Sequence, residues 1–75
     1  ARHAGGDLEG AIEDFTRAIE AQGTNAKAWN NRGTAWALHG ELDRAIADFE
    51  QALVLEPGAK ERITPLLEEA KRRKG

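Results

Sequence analysis

Cysteine is absent from this 75-residue chain, which excludes disulfides and thiolate metal sites. Long apolar runs are absent too. No stretch approaches the roughly 20 residues that a membrane span needs. Arg2 and His3 are not followed by an apolar segment, so no signal peptide is legible, and the start at Ala1 rather than Met reads as a processed or excised piece. Length is short as well. A chain of this size buries only about 60% of its unfolded surface, which argues against a deep, water-excluded catalytic pocket. His3 and His39 have no carboxylate or second histidine at metal-ligand spacing, so neither a metal nor a cofactor is expected. Gly5, Gly6 and Gly10 have no preceding strand and no following Lys-Ser/Thr, and so do not form a phosphate loop. No buried carboxylate pair is implied, and the chain is not expected to be an enzyme.

Charged residues, by contrast, are plentiful. They make up 32% of the chain against 40% apolar, a balance that reads as soluble and folded. The charge is unevenly placed. Residues 1–58 hold five basic and ten acidic side chains, whereas residues 59–75 hold six basic and three acidic. A nucleic-acid binder carries its basic charge on a face of the folded body. Here the body is acidic, so no nucleic-acid partner is expected. The run Lys71–Lys74 reads as a solvated tail that complements a helix C-terminus, the other reading being a grip on phosphate or an acidic partner.

The chain repeats itself. Gly6–Ala18 aligns with Gly40–Ala52 at an offset of 34 residues, and seven of thirteen positions are identical, Leu8/Leu42, Ala11/Ala45, Ile12/Ile46, Asp14/Asp48, Phe15/Phe49 and Ala18/Ala52 among them. Chance would give about one match. Within the second copy, Leu42, Ala45, Ile46, Phe49, Ala52 and Leu53 share one face at about 100° per residue. That predicts an amphipathic helix near 41–55, stopped by Pro57 and Gly58, and an equivalent near 7–21 with Asp7 as N-cap. A third helix is expected between Asn25 and His39, capped by Asn25 and ended by Gly40. Trp29, Gly33 and Trp36 fall on one side of it and read as core. A glycine inside a helix costs about 1 kcal/mol against alanine, so Gly33 implies close approach by the next helix, with Ala45 as the facing small residue. The apolar stripe Ile63, Leu66, Leu67 and Ala70 predicts a last helix near 65–73, after one turn at 59–63, with Thr64 as N-cap and Pro65 at the first position.

Trp29, Gly33, Trp36, Gly40, Ala45, Phe49, Ala52 and Pro57 together resemble the signature of the tetratricopeptide repeat family. The resemblance implies an all-α fold of antiparallel helix-turn-helix repeats, an α-solenoid fragment. Residues 6–25 would be the second helix of a partial repeat, 26–59 a full repeat, and 60–75 a C-terminal capping helix with a basic tail. Trp36 stands where tyrosine is more usual, and Gly23 where the first repeat would close with proline.

Function follows from the same resemblance. The family lines a concave groove with the first helix of each repeat, which here implies Lys27, Asn30, Asn31, Thr34 and Leu38 as peptide-binding candidates. The first four suit an extended peptide backbone or carboxylate, and Leu38 an apolar anchor. The same face also suits an ordinary solvated helix side. The expected partner is a protein or peptide, with no nucleic acid and no membrane. The alternative is a self-associating fragment. Leu8, Ile12, Phe15 and Ile19 form an apolar strip on the first helix that one neighbour covers incompletely, so a homodimer through that strip is expected.

Overall fold

The computed structural model describes the backbone of residues 3–75 and the side chains from Leu8 onward. Its elements are α1 (His3–Ala21), α2 (Ala26–His39), α3 (Leu42–Leu55), a 3₁₀ turn (Pro57–Ala59) and α4 (Lys60–Lys74). No strand occurs among the described residues. Successive helices pack in chain order, α1 on α2, α2 on α3 and α3 on α4, and α4 also touches α2. The body is a slab of 38 × 33 × 16 Å. That thickness is little more than one helix with its side chains, so the molecule offers surfaces and shallow hollows rather than an interior chamber.

Local sequence explains the boundaries of α2. Asn25 caps its start, with Oδ1 accepting from the Ala28 amide at 3.2 Å. Gly40 ends it at φ +95°, and the amides of Gly40 and Glu41 return to the carbonyls of Ala37 and Trp36. This left-handed conformation is cheap only for glycine. Gly6, its counterpart in the repeat, lies inside α1 instead. The same residue therefore adopts two conformations at equivalent positions, because α1 runs on through it. Asp7 is accordingly in the second turn of α1 and is not its N-cap. Its side chain, and that of His3, lie outside the described residues.

The core is one cluster of Ala45, Phe49, Ala52, Ala59, Ile63, Leu67 and Ala70, against which the half-buried Trp29 and Trp36 pack. Gly33 has the close approach by α3 that its position demanded, and the ring of Phe49 makes the nearest contact. A Cβ at Gly33 would lie 2.8 Å from Cε1 and 2.9 Å from Cδ1 of Phe49. The Phe49 ring, 1% exposed, rests directly on the glycine. The absent side chain makes room for the Phe49 ring of α3.

The last helix departs from expectation. It begins at Lys60 and runs through Pro65 without a break. Thr64 is not its cap. Proline removes one i→i−4 bond, here the one to the Glu61 carbonyl. Glu61 and Pro65 are both exposed, so water can take that carbonyl. The gain on the other side is continuity of register. Ile63, Leu67 and Ala70 all bury against α3, and only an unbroken helix keeps them on one face. Leu66, expected in the same stripe, is 40% exposed.

Candidate functional site

Two hollows of about 330 Å³ each lie along the junction of α2 and α4. One is walled by Ala26, Lys27, Asn30 and Asn31 from the start of α2, with Glu56, and Arg62 and Ile63 from the start of α4. The other is walled by Thr34, Ala37 and Leu38 from the later part of α2, and by Pro65, Leu66, Glu69, Ala70 and Arg73 of α4, above Phe49. Early residues thus face early residues and late face late, so α2 and α4 run in the same direction. The two hollows lie one after the other along this junction, and Phe49 of α3 floors the second.

The five groove candidates all line these hollows, Lys27, Asn30 and Asn31 in the first and Thr34 and Leu38 in the second. The first hollow is polar. The second is apolar, and Leu38 stands 66% exposed in it. Thr34 Oγ1 donates to the Asn30 carbonyl at 3.2 Å, leaving its oxygen able to accept. Asn30 Oδ1 is buried with no partner, the one such side-chain atom among the described residues. A buried orphan acceptor costs about 1–3 kcal/mol, so the carboxamide gains by turning into the groove.

The α4 wall was not foreseen. Adding 34 to the candidates on α2 points to Glu61, Thr64, Pro65, Glu68 and Arg72, of which Pro65 alone lines the groove. Arg62, Leu66, Glu69 and Arg73 sit one position further on. The repeat offset locates a helix face, but the wall of α4 is set by which residues face α2.

The opposite face carries an ion pair, Asp48 buried and Arg32 half-buried, that the sequence did not imply. Arg32 donates from Nε to Asp48 Oδ2 at 2.7 Å and from Nη2 to Asp48 Oδ1 at 2.9 Å. Its Nη1 reaches Thr16 Oγ1 at 3.2 Å, and the Thr16 hydroxyl donates to the Ile12 carbonyl at 2.7 Å. The guanidinium also lies 5.0 Å from the centre of the Trp29 ring. One side chain of α2 therefore ties α1 to α3. The hydrogen bonds that Arg32 donates to Asp48 raise its pKa above the ordinary value, burial opposes this, and the charges of Asp48 and Glu20 add to the rise. Both carboxylate oxygens of Asp48 are engaged, so this pair is a tie and not an acid–base site. The signal for it was the identity Asp14/Asp48, which helical periodicity alone does not explain. Asp14 itself is exposed, 3.9 Å from Arg17.

Remaining features are local. His39 stacks on Trp36 at 6.3 Å between ring centres, and Arg44 lies 5.0 Å from the same indole. Trp29 Nε1 donates to the Gly23 carbonyl at 2.9 Å and so fastens the turn that lacks proline. The basic run belongs to the last turn of α4, where Arg72 pairs with Glu69 and Lys74 with Asp43. On α1, Ile12 and Ile19 are buried against α2, while Leu8 and Phe15 are half-buried. No cluster of three metal-ligating side chains occurs among the described residues, and no helix there is long and apolar enough to cross a membrane.

Comparison with known proteins bears on the repeat of 34 residues. The family model described as tetratricopeptide repeat matches residues 2–60. The chain belongs to the tetratricopeptide repeat family. Tetratricopeptide repeat protein 36 of Bos taurus is 43% identical over 53 residues, covering 71% of this chain and 28% of the relative. Its counterpart in Mus musculus is 42% identical over the same share of each chain. That of Caenorhabditis elegans is 42% identical over 48 residues, 64% of this chain and 27% of the relative. The chain therefore spans little more than a quarter of the length of the curated relatives it matches. Membership supports a protein-interaction module built on an all-α repeat.

Proposed function

We propose that the chain is a protein-interaction scaffold that holds an extended peptide segment of a partner between α2 and α4. The observation that carries this reading is the pair of hollows along the α2–α4 junction, the first polar and the second apolar, with Leu38 and Leu66 exposed in the second. Apolar side chains grouped in a concave surface with a few polar groups beside them suit a ligand's apolar group. Lys27, Asn30, Asn31 and Thr34 offer hydrogen bonds along the backbone of such a segment. The test is a selection from a random seven-residue peptide display library on the 75-residue chain, with amide resonances mapping the winners. The expected result is perturbation of α2 and α4, and loss of binding in Leu38→Asp and Asn31→Ala with the fold intact. Winners that perturb only α1 or the end of α4 would refute it.

A second reading, self-association through α1, rests on a comparison internal to the molecule. Ala45, Phe49 and Ala52 are fully buried on α3, whereas their repeat equivalents Ala11, Phe15 and Ala18 are half-open on α1. The open side is modest, because Ile12 and Ile19 already bury against α2. Sedimentation at tens of micromolar decides between monomer and dimer, and Phe15→Glu should abolish a dimer formed this way.

A further inference from the structure

Resting on the self-association reading above, we infer that a second copy of this chain seats its α1 face on the edge where α3 meets α4, so that copies join through unlike faces. Two apolar strips are left half-open, and each has a closed counterpart one repeat away. On α1, Ala11, Phe15 and Ala18 are half-open, whereas Ala45, Phe49 and Ala52 are buried on α3. On α3, Ile46 and Leu53 are half-open, whereas their equivalents Ile12 and Ile19 are buried on α1. So α2 covers the flank of α1 more fully than α4 covers the flank of α3. Among the described residues α1 packs on α2 alone, and one copy cannot close the two strips on each other. A second copy can.

Charge decides which strip meets which. From Leu8 onward α1 carries Glu9, Glu13, Asp14 and Glu20 against Arg17, all exposed. The balance on α4 is the reverse, with six basic and three acidic side chains. Lys71 and Lys74 stand beside Ile46 in one open hollow of about 490 Å³. Lys74 reaches Asp43 at 2.6 Å, while Lys71 has no carboxylate within 4.0 Å among the described residues. Placing α1 on α1 would set four acids and one base against the same set. Placing α1 on the α3–α4 edge brings carboxylates to Lys71 and the Phe15 strip to Ile46. Like charges across an interface oppose it and opposite charges favour it. A join between unlike faces leaves one of each free on every pair, so assembly continues past two copies into a ring or an open chain.

Both strips are small, so the contact is weak and the experiment must reach high concentration. Sedimentation and light scattering are read on the 75-residue chain from about 10 μM to about 0.5 mM. The average mass should rise past two copies, and should fall as salt is raised from about 0.05 to about 0.5 M. Phe15→Glu blocks one face, and Ile46→Ser/Lys71→Glu blocks the other. Each variant alone should stay at 8.2 kDa, and an equal mixture should form a one-to-one pair that grows no further. Circular dichroism checks that both variants are folded. Two exposed changes serve if either is not. Asp14→Lys and Lys71→Glu should each weaken association by at least about twofold, and the chain carrying both, with each edge inverted, should recover it. Growth that stops at two copies, with Ile46→Ser/Lys71→Glu still pairing with itself, overturns the inference and leaves self-association through α1 standing. A mass of 8.2 kDa at every concentration removes both.

Discussion

Adding one methyl group at two glycines should change stability in opposite directions. Gly10 and Gly33 both lie inside helices, and alanine in a helix interior is favoured over glycine by about 1 kcal/mol. At Gly10 a new Cβ meets nothing within 4 Å, so Gly10→Ala should stabilise by about 0.4–1 kcal/mol. At Gly33 the same Cβ meets three atoms of the Phe49 ring at 2.8, 2.9 and 3.2 Å. That ring is 1% exposed and cannot swing into solvent. Overpacking of this kind costs about 1–3 kcal/mol, and two contacts below 3.0 Å place it in the upper half of the range. After the helix-propensity gain, Gly33→Ala should lose about 1–2 kcal/mol. The two variants should then differ by about 2 kcal/mol in urea unfolding followed by circular dichroism, and each kcal/mol should move Tm by about 4–8 °C. Removing the ring's far edge supplies the control. In a Phe49→Leu background, Gly33→Ala should cost much less, a coupling above about 0.5 kcal/mol. Equal stabilisation by both glycine substitutions would refute the contact, and so would an unchanged cost of Gly33→Ala in the Phe49→Leu background.

Two other predictions concern the unforeseen features. Asp48→Ala strands the Arg32 guanidinium between α1 and α3, where it is 18% exposed, and should cost about 2–3 kcal/mol in chemical unfolding. Arg32→Leu/Asp48→Leu together should cost less than Asp48→Ala alone; a larger loss in the double variant would show that the pair contributes net stability. Pro65→Ala restores the amide that α4 lacks opposite the Glu61 carbonyl and should raise stability by about 1–3 kcal/mol, while trimming the apolar end of the groove. A destabilised Pro65→Ala would mean that proline's ring is needed in the packing beside Leu66.

Much of this molecule was legible before any coordinates. The offset of 34 residues, the helical period of the apolar residues, the Asn25 cap and the Gly40 stop depend on local chemistry, and local chemistry is written in order along the chain. So α2 and α3 emerged nearly residue for residue, and the groove face of α2 followed from the family resemblance. Three things needed the third dimension. Gly33 announced a close approach by α3, but which atoms come nearest depends on how far α3 slides along α2, and that placed the Phe49 ring upon it. Pro65 gave a strong local signal for a helix start, and tertiary burial of Ile63, Leu67 and Ala70 outweighed it. Arg32 and Asp48 lie sixteen residues apart on different helices, and no one-dimensional period brings them together. The second wall of the groove is of the same kind. Arg62 and Leu66 become partners of Lys27 and Leu38 only because α3 holds α4 beside α2, and a surface shared by two helices exists only once both have packed on a third.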